Sequence, residues 1–574
     1  MLHLFKGTTL QFFTAIESRY GVPPAYWDVS APKYLDNIEI EKRDKIAFEV
    51  AFEAVPRQVK ADTRIAPFLL GAPLTWATLE GRADIPRELF SSLFAEIQKL
   101  LKDSDCRVLL LLDEPGSGRS ALLKRLAYQL AKQERNVLYF TGEELIEEQT
   151  CARIFDGIIG PCYVFVDDWA DHSGFFSRVL AELKRKDIII VGTERIYRRP
   201  YIESGLAEEN IAIVEAQLDL ETNEARRLIL QFQKEGLAST GTFTEPELAR
   251  FAGTLTGNSI SVAGCRIQNN FHAFDQIVTK ILSESGEEET RVYATVGLAR
   301  FCYSGGVQKS ILYDAQPSKT IRDMFNVYSR LPILFADRAQ QYVIPARSTT
   351  ADRAISILQK RDSKTLADVF VNLANAVAPR VNRGEIRKRA PAAKLASALM
   401  DFDRLVRRLI NEHAEFFYDQ IKEKWDWNSR YWEQCALLKL DRYLRDKSNR
   451  RLLDEGIQNA RWAYAIEEHP LSLTTLAKLL FSAIDNEVEL QPELFEEAWD
   501  LINQSIDIEA NWASVKATAF VVCFNGVLAY VRKGGKLSGA QTERLRDEFA
   551  ITHRRNLRSP QLLSIREKVS AALH

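Results

Sequence analysis

Arg107-Val-Leu-Leu-Leu-Leu112, then Asp113-Glu114-Pro115-Gly116-Ser117-Gly118-Arg119-Ser120, then Ala121-Leu-Leu-Lys-Arg-Leu-Ala-Tyr-Gln-Leu130, is the stretch on which the fold turns. A short apolar run bounded by turn formers is a buried strand, and the longer run from Ser120 to about Gln133 has helical spacing. Between them lies most of the phosphate-loop pattern G-x-x-x-x-G-K-[ST], with Gly116, Gly118 and the Ser120 hydroxyl in place. Glycines let backbone N–H groups curl around phosphate oxygens, and the following helix N-terminus adds a positive dipole end. Pro115, Gly116, Ser117, Gly118, Arg119, Ser120 and Ala121 are therefore the candidate phosphate contacts, with Ser120 placing its hydroxyl on a magnesium ion. Two residues depart from the pattern. Asp113 stands at the first glycine position, and Arg119 replaces lysine. The guanidinium fork is wider and planar where an ammonium is compact, so Arg119 can neutralise phosphate without copying lysine's geometry. The plain alternative is a Gly-rich turn between a strand and a helix.

Two further segments supply context. Tyr163-Val-Phe-Val-Asp167-Asp168, about 45 residues on, is an apolar strand ending in two acids. Asp167 is expected to hold magnesium through water, and Asp168 to polarise the attacking water. Ile188-Ile-Ile-Val-Gly192-Thr193-Glu194-Arg195 is a second such strand, ending in polar groups. Thr193 or Arg195 there is a candidate sensor of a terminal phosphate, and a solvated strand end reads equally well from these residues alone.

Strands are also expected at Asn136–Phe140 and Ile211–Glu215, and helices at Gly174–Arg185 and Glu221–Glu235, the last stopping at Gly236. Strands alternating with helices of ten or more residues imply a parallel sheet covered on both faces, an α/β domain. Upstream, Phe5–Tyr20 has helical spacing, Ile38–Ala54 reads as strand or helix, and a helix is expected over Arg87–Lys102. Beyond Glu221 strand signals nearly vanish. Glu245–Glu284 reads as a helical lid and Thr290–Ile357 as a compact helical domain, with Tyr342-Val-Ile-Pro345 as a strand of a winged-helix-like wing. From Ala396 onward helix follows helix, and Ala460–Trp462 and Glu497–Trp499 recur near the period of about 34 of tetratricopeptide-like pairs.

The length of 574 residues requires several cores. A net charge of −2 argues against a chain-wide nucleic-acid footprint, and the basic runs Arg380–Lys394 and Arg404–Arg408 read as solvated faces. Seven scattered cysteines without ligand spacing fit a reducing cytoplasm rather than a disulfide framework or zinc site. No signal peptide is read at the N-terminus, and Ala517–Val531 is too short for a membrane span and reads as a buried helix.

In order, Pro115–Ser120, Phe165–Asp168, Gly192–Arg195 and Leu220-Glu221-Thr222-Asn223-Glu224-Ala225 resemble the STAND class of signal-transduction ATPases (NACHT/NB-ARC-like), in particular prokaryotic members linked to antiviral defence. Leu331-Pro332 is similar to a short motif of related winged-helix domains, and Phe68-Leu-Leu-Gly71 with Thr75-Trp76 and Arg82 to a lead-in segment. The resemblance implies an α/β P-loop NTPase followed by winged-helix-like and all-α solenoid domains, holding ATP or ADP with Mg2+. On it the chain divides into 1–64 of unassigned role, a lead-in 65–102, an ATPase core 103–220, a lid 221–285, a winged-helix-like domain 286–390 and a helical sensor or partner-binding region 391–574. It also implies an effector. The first 65 to 100 residues are short for one, so a protein partner in trans is expected, with homo-oligomerisation on activation and no nucleic acid or membrane.

Three readings stand side by side: a nucleotide-gated switch, a pseudo-ATPase scaffold favoured by Arg119, and a DNA-binding regulator. The last is disfavoured because the C-terminal part shows no basic recognition helix.

Overall fold

The computed structural model describes residue 38 and residues 40–573, apart from 73, 102–105, 143–145, 200–201, 203–209, 217, 239–242, 327–328, 337–339, 382–389, 487–489, 512–516 and 555–559. The helix read at Phe5–Tyr20 lies outside the described residues.

Six strands form one sheet: β1 (Phe52–Ala54), β2 (Cys106–Asp113), β3 (Asn136–Phe140), β4 (Cys162–Val166), β5 (Ile188–Arg195) and β6 (Asn210–Glu215), in the order β1-β3-β4-β5-β2-β6. Five run parallel, and β1 pairs antiparallel with β3 through Phe52 opposite Phe140. The parallel sheet expected from the sequence is thus present, with one antiparallel strand added at its edge. Residues 42–54, read as strand or helix and placed in a separate N-terminal unit, are both. Helix α1 (Lys42–Ala51) runs into β1 and joins the core.

Helices α2 (Phe90–Leu100), α3 (Arg119–Lys132), α4 (Glu148–Gly157) and α5 (Ser173–Glu182) cover the sheet. Alternation along β2 divides the two faces. Leu109 and Leu111 pack with Leu122, Leu126 and Leu130 of α3, while Val108, Leu110 and Leu112 pack with Phe155, Phe176 and Val179 on the other side. Both faces being buried explains why the strand reads as a continuous apolar run.

Four helices follow: α6 (Thr222–Lys234), α7 (Glu245–Leu255), α8 (Ile260–Gln268) and α9 (Phe274–Glu284). The expected stop after α6 is present: Gly236 has φ +68° and the Leu237 N–H donates to Phe232 O at 2.8 Å. Helices α10 (Glu287–Cys302) and α11 (Lys309–Ala315) pack with a three-stranded antiparallel sheet of β7 (Val307–Gln308), β8 (Ile333–Phe335) and β9 (Tyr342–Pro345), with β9 central. The strand read at Tyr342–Pro345 is thus the central strand of this small sheet.

Helices α12 (Ser348–Arg361), α13 (Ser363–Val377), α14 (Pro391–Leu399), α15 (Ala414–Trp425) and the start of α16 (Ser429–Arg445) share one hydrophobic core with α10, which runs from Val278 to Leu438 without a break near residue 390. A further core spans Ala436–Val569 and takes in α17 (Arg450–Ile466), α18 (Pro470–Asn486), α19 (Pro492–Asn511), α20 (Ala517–Arg532), α21 (Gly539–Arg554) and α22 (Pro560–Leu573). Alternate helices here begin at 429, 470, 517 and 560, steps of 41, 47 and 43 residues, longer than the tetratricopeptide period of about 34. The run Ala517–Val531 is a buried helix, with Phe520, Phe524 and Val527 fully inside. Trp425 and Trp499 are core residues, whereas Trp462 is 44% exposed and Trp512 lies outside the described residues. Among the described residues no helix is long and apolar enough to cross a membrane.

Candidate functional site

The loop between β2 and α3 turns on two left-handed glycines, Gly116 at φ +77° and Gly118 at φ +91°. Side chains rarely adopt that region, and here a Cβ would also meet a wall. On Gly116 it would lie 2.3 Å from Thr349 Cγ2 and 2.7 Å from Ser261 Cβ. The loop is thus capped by the starts of α8 and α12: Ser261 N donates to Gly116 O at 3.0 Å, and the Ser261 and Thr349 hydroxyls are 2.6 Å apart.

Asp113, at the position of the pattern's first glycine, is an anchor. Its Oδ1 accepts from Glu114 N at 2.7 Å and its Oδ2 from Leu218 N at 3.0 Å, tying the loop to the segment after β6. Burial pushes its carboxyl above the usual value. Arg87, just ahead of α2, is a second anchor that the sequence did not single out. It donates to Ser117 O at 3.0 Å, to Leu218 O, to Asp219 O at 3.3 Å and to Glu224 Oε1 of α6 at 3.2 Å. Because C=O and N–H of a trans peptide point opposite ways, holding Ser117 O on one side turns the Gly118 N–H toward the other.

Beside the loop lies a cavity of about 1360 Å3, which Arg87 also lines. Pro115, Gly116, Gly118, Arg119, Ser120, Ala121, Asp167, Asp168 and Arg195 all line it, so nine of the sequence-predicted residues meet in one place. Ser117 and Thr193 are buried behind the wall. Thr193 still bears on the site, since its hydroxyl donates to Asp167 Oδ1. Asp168 N donates to the same oxygen at 3.0 Å, leaving Oδ2 for a cation. Ser120 is exposed to the cavity. A hydroxyl and a carboxylate are hard oxygen ligands that suit Mg2+, which takes few protein ligands and keeps several waters. Apolar groups at another part of the wall, Phe68, Leu69, Phe232 and Ile260, offer a surface for a flat base.

Strand order decides how these groups meet. β5 lies between β2 and β4, with Asp113 opposite Arg195, Leu111 opposite Thr193 and Val166 opposite Gly192. The polar end of β5 is thereby wedged between the loop and the acids. Arg119 does not reach into open space. Its Nη1 donates to Asp113 O and Glu114 O at 3.4 and 3.3 Å, and its Nη2 is 3.7 Å from Asp168 Oδ1. Arg195, 2% exposed, donates to Tyr197 Oη at 2.9 Å and to Arg300 O at 3.1 Å. Glu194, fully buried, accepts from Ala170 N and Arg195 N, both at 2.7 Å, and orders the turn after β4.

Arg300 of α10 was not legible as a site residue, yet it lines the cavity and sits 3.3 Å from Asp168 Oδ2. Burial pushes the Asp168 carboxyl up, but Arg300, Arg195 and Arg119 together outweigh it and hold it at about 2. Asp168 itself has a left-handed backbone, φ +48°. A base this weak is a poor acceptor for a water proton at neutral pH.

A strand–loop–helix with left-handed glycines, a hydroxyl facing the cavity after them, and an acid-tipped strand one strand removed define a P-loop NTPase core, a nucleotide-binding fold. Within that class, residues 66–203 match the family model described as Novel STAND NTPase 5, which carries the STAND resemblance from the short helices before α2 through β5. No curated protein matches the chain. Of the solved structures, that of C. elegans PCH-2 aligns at 13% identity over 35% of this chain, which spans 63% of the PCH-2 chain, with a TM-score of 0.23. The structure of Drosophila ORC bound to DNA aligns at 12% identity over 61% of this chain and 100% of that one, with a TM-score of 0.25. Those are partial superpositions, and the class rests on the strand order and the loop geometry.

Proposed function

We propose that this protein is a STAND-type molecular switch that binds ATP or ADP with Mg2+ and hydrolyses ATP slowly, with the bound nucleotide governing how the helical half packs on the core. The observation that carries this reading is the capped loop itself: Gly116 is in contact with Thr349 of α12, so whatever occupies the loop is felt directly by the downstream helices. Gly116, Gly118 and Ser120 would hold the phosphates, Ser120 and Asp167 the cation, and Thr193 would fix Asp167 while Arg195 reads the terminal phosphate. A role in bacterial antiviral defence or signalling, in the cytoplasm, follows the STAND resemblance. Output would pass through a protein partner in trans or through homo-oligomerisation, with the helices beyond residue 391 as the sensor or partner surface.

Titration calorimetry of the full chain with ADP and with a non-hydrolysable ATP analogue, each with and without Mg2+, tests the reading. Binding with Mg2+ that weakens in Ser120→Ala is expected, and no heat with either nucleotide overturns it. A second reading, an inactive scaffold, is favoured by the Arg119 guanidinium folding back onto Asp113 O and Glu114 O. Measurable turnover that falls in Asp168→Asn selects the switch; its absence selects the scaffold.

A further inference from the structure

The turn that follows β4 is gripped from outside the core. It comprises Asp168 and the short helical turn Trp169–Asp171, and Asp171 at its far end is a meeting point. The Asp171 carboxylate, 4% exposed, pairs with Arg198 of the core and accepts from Ser304 N at 2.9 Å. Its main-chain oxygen accepts from Lys394 Nζ at 2.8 Å. Ser304 stands just past the end of α10 and Lys394 near the start of α14, and these two helices share one hydrophobic core. The helical half therefore holds Asp171 through two donors at once. Lys394 is the fourth residue of its helix, where a cation works against the helix dipole. A charge-assisted hydrogen bond to an oxygen across the junction offsets that placement.

From Asp171 a chain of hydrogen bonds runs back to the candidate cation ligand. Asp171 N donates to Asp168 O at 3.2 Å, and Asp168 N donates to Asp167 Oδ1 at 3.0 Å. The turn is costly in itself. Asp168 is left-handed at φ +48°, and the indole N–H of the fully buried Trp169 has no acceptor among the described residues. Such a conformation persists only where its surroundings hold it. Glu194 holds the middle of the turn through Ala170 N, and Ser304 and Lys394 hold its end.

We propose that Lys394 is a positioning residue: through Asp171 and Asp168 it fixes how Asp167 faces a bound cation, so that the seating of α14 is felt at that ligand. The proposal rests on the nucleotide reading above and adds a route from the helical half to the metal side of the site. This route is separate from the contact of Thr349 with Gly116. A partner that draws α14 away from the core would weaken cation-dependent nucleotide binding without touching the phosphate loop.

Two measurements on the full chain test it: hydrogen–deuterium exchange of the free protein, and calorimetry of ADP binding with and without Mg2+. In Lys394→Met, peptides covering residues 168–176 and 302–308 are expected to exchange about ten-fold faster, the size of one lost charge-assisted bond. The factor by which Mg2+ tightens ADP binding is expected to fall about three-fold, less than for loss of a direct partner of a metal ligand. Lys394→Arg keeps a donor and should restore part of both effects. Peptides of α17 and α18 should exchange as in wild type throughout, which shows that the fold is retained. Should Lys394→Met not fold, Lys394→Gln carries the same test, its shorter side chain falling short of Asp171 O. Faster exchange at 302–308 alone, or at both peptides with the Mg2+ factor unchanged, overturns the route to Asp167. Unchanged exchange at both peptides overturns it too, as does a Lys394→Arg that behaves like Lys394→Met. A wild type that binds no ADP, while both peptides respond and Lys394→Arg restores them, overturns the nucleotide reading and leaves the hold on the turn in place.

Discussion

Arg300 Nη2 stands 3.3 Å from Asp168 Oδ2, a contact that joins residues 132 positions apart and ties helix α10 to the acid that ends the fourth strand. Its consequence is electrostatic. Burial alone would lift the Asp168 carboxyl, and Arg300 is the largest of the charges that bring it down to about 2.

Replacing Arg300 by Met should therefore destabilise the protein at pH 7 by about 1–3 kcal/mol, less than a fully buried broken pair because Arg119 remains nearby and both side chains keep some exposure. The sign with pH follows from the lowered carboxyl. Its stabilisation is present above the ordinary aspartate value and fades as pH falls toward 2. Urea unfolding of wild type and variant should show the gap at pH 7 and a smaller one at pH 3. A gap that widens on acidification contradicts the assignment.

Asp352 behaves in the opposite sense. Burial raises its carboxyl to about 6, against the pull of Arg195, Arg300, Arg119 and Arg408. A carboxyl raised in the folded state is a cost when ionised, and that cost is relieved as pH falls through about 6 toward 4. Asp352→Asn should therefore be more stable than wild type at pH 7.5, by at most about 3 kcal/mol, and lose that advantage as pH falls to about 4. Melting temperatures of the two proteins across that interval give the answer, and parallel curves would remove Asp352 from the argument.

Gly116→Ala combines two penalties. The backbone is left-handed at φ +77°, and the new Cβ would sit 2.3 Å from Thr349 Cγ2. Together these should cost about 2–4 kcal/mol or push the helical half off the loop. Gly257→Ala shares the φ of +77° but has open space around it, so it isolates the backbone part at about 1 kcal/mol. Thr349→Ser, which deletes Cγ2, should partly rescue Gly116→Ala; no rescue means the contact with α12 is not what limits the variant.

Arg87→Gln tests the anchor under the loop. The change strips Ser117 O, Leu218 O and Asp219 O of a cationic donor and leaves Glu224, 2% exposed, as an uncompensated carboxylate. Breaking one side of a buried pair costs about 3–5 kcal/mol. Glu224→Gln with Arg87→Gln should recover part of it, since no buried charge then lacks a partner. Thermal unfolding reports the loss, and a double variant no better than the single places the effect elsewhere.

The α/β core was readable because its cues are local. A strand buried on both faces shows as an unbroken apolar run, as in Val108–Leu112, and a phosphate loop needs its glycines and hydroxyl within a few residues of one another. Gly116, Gly118, Ser120 and the acid pair Asp167-Asp168 were picked out as candidates this way, and the fold brings them to one cavity. The edge strand Phe52–Ala54 was ambiguous because three residues carry no period. Arg87, Arg300 and Asp352 left no signal at all, each being one charged residue in a helical or turn segment like many others in the chain.

Sequence by itself determined which segments are strands and helices in the core, the phosphate loop with its arginine, and the acids that answer it, since hydrophobic period and backbone freedom are properties of neighbouring residues. Only the tertiary structure decided that β5 lies between β2 and β4 and that α10 delivers Arg300 to Asp168. It also decided that Thr349 of α12 closes over Gly116. Those outcomes depend on which buried faces pack together and on how charges are compensated once water is excluded, and neither is encoded in any single stretch of chain.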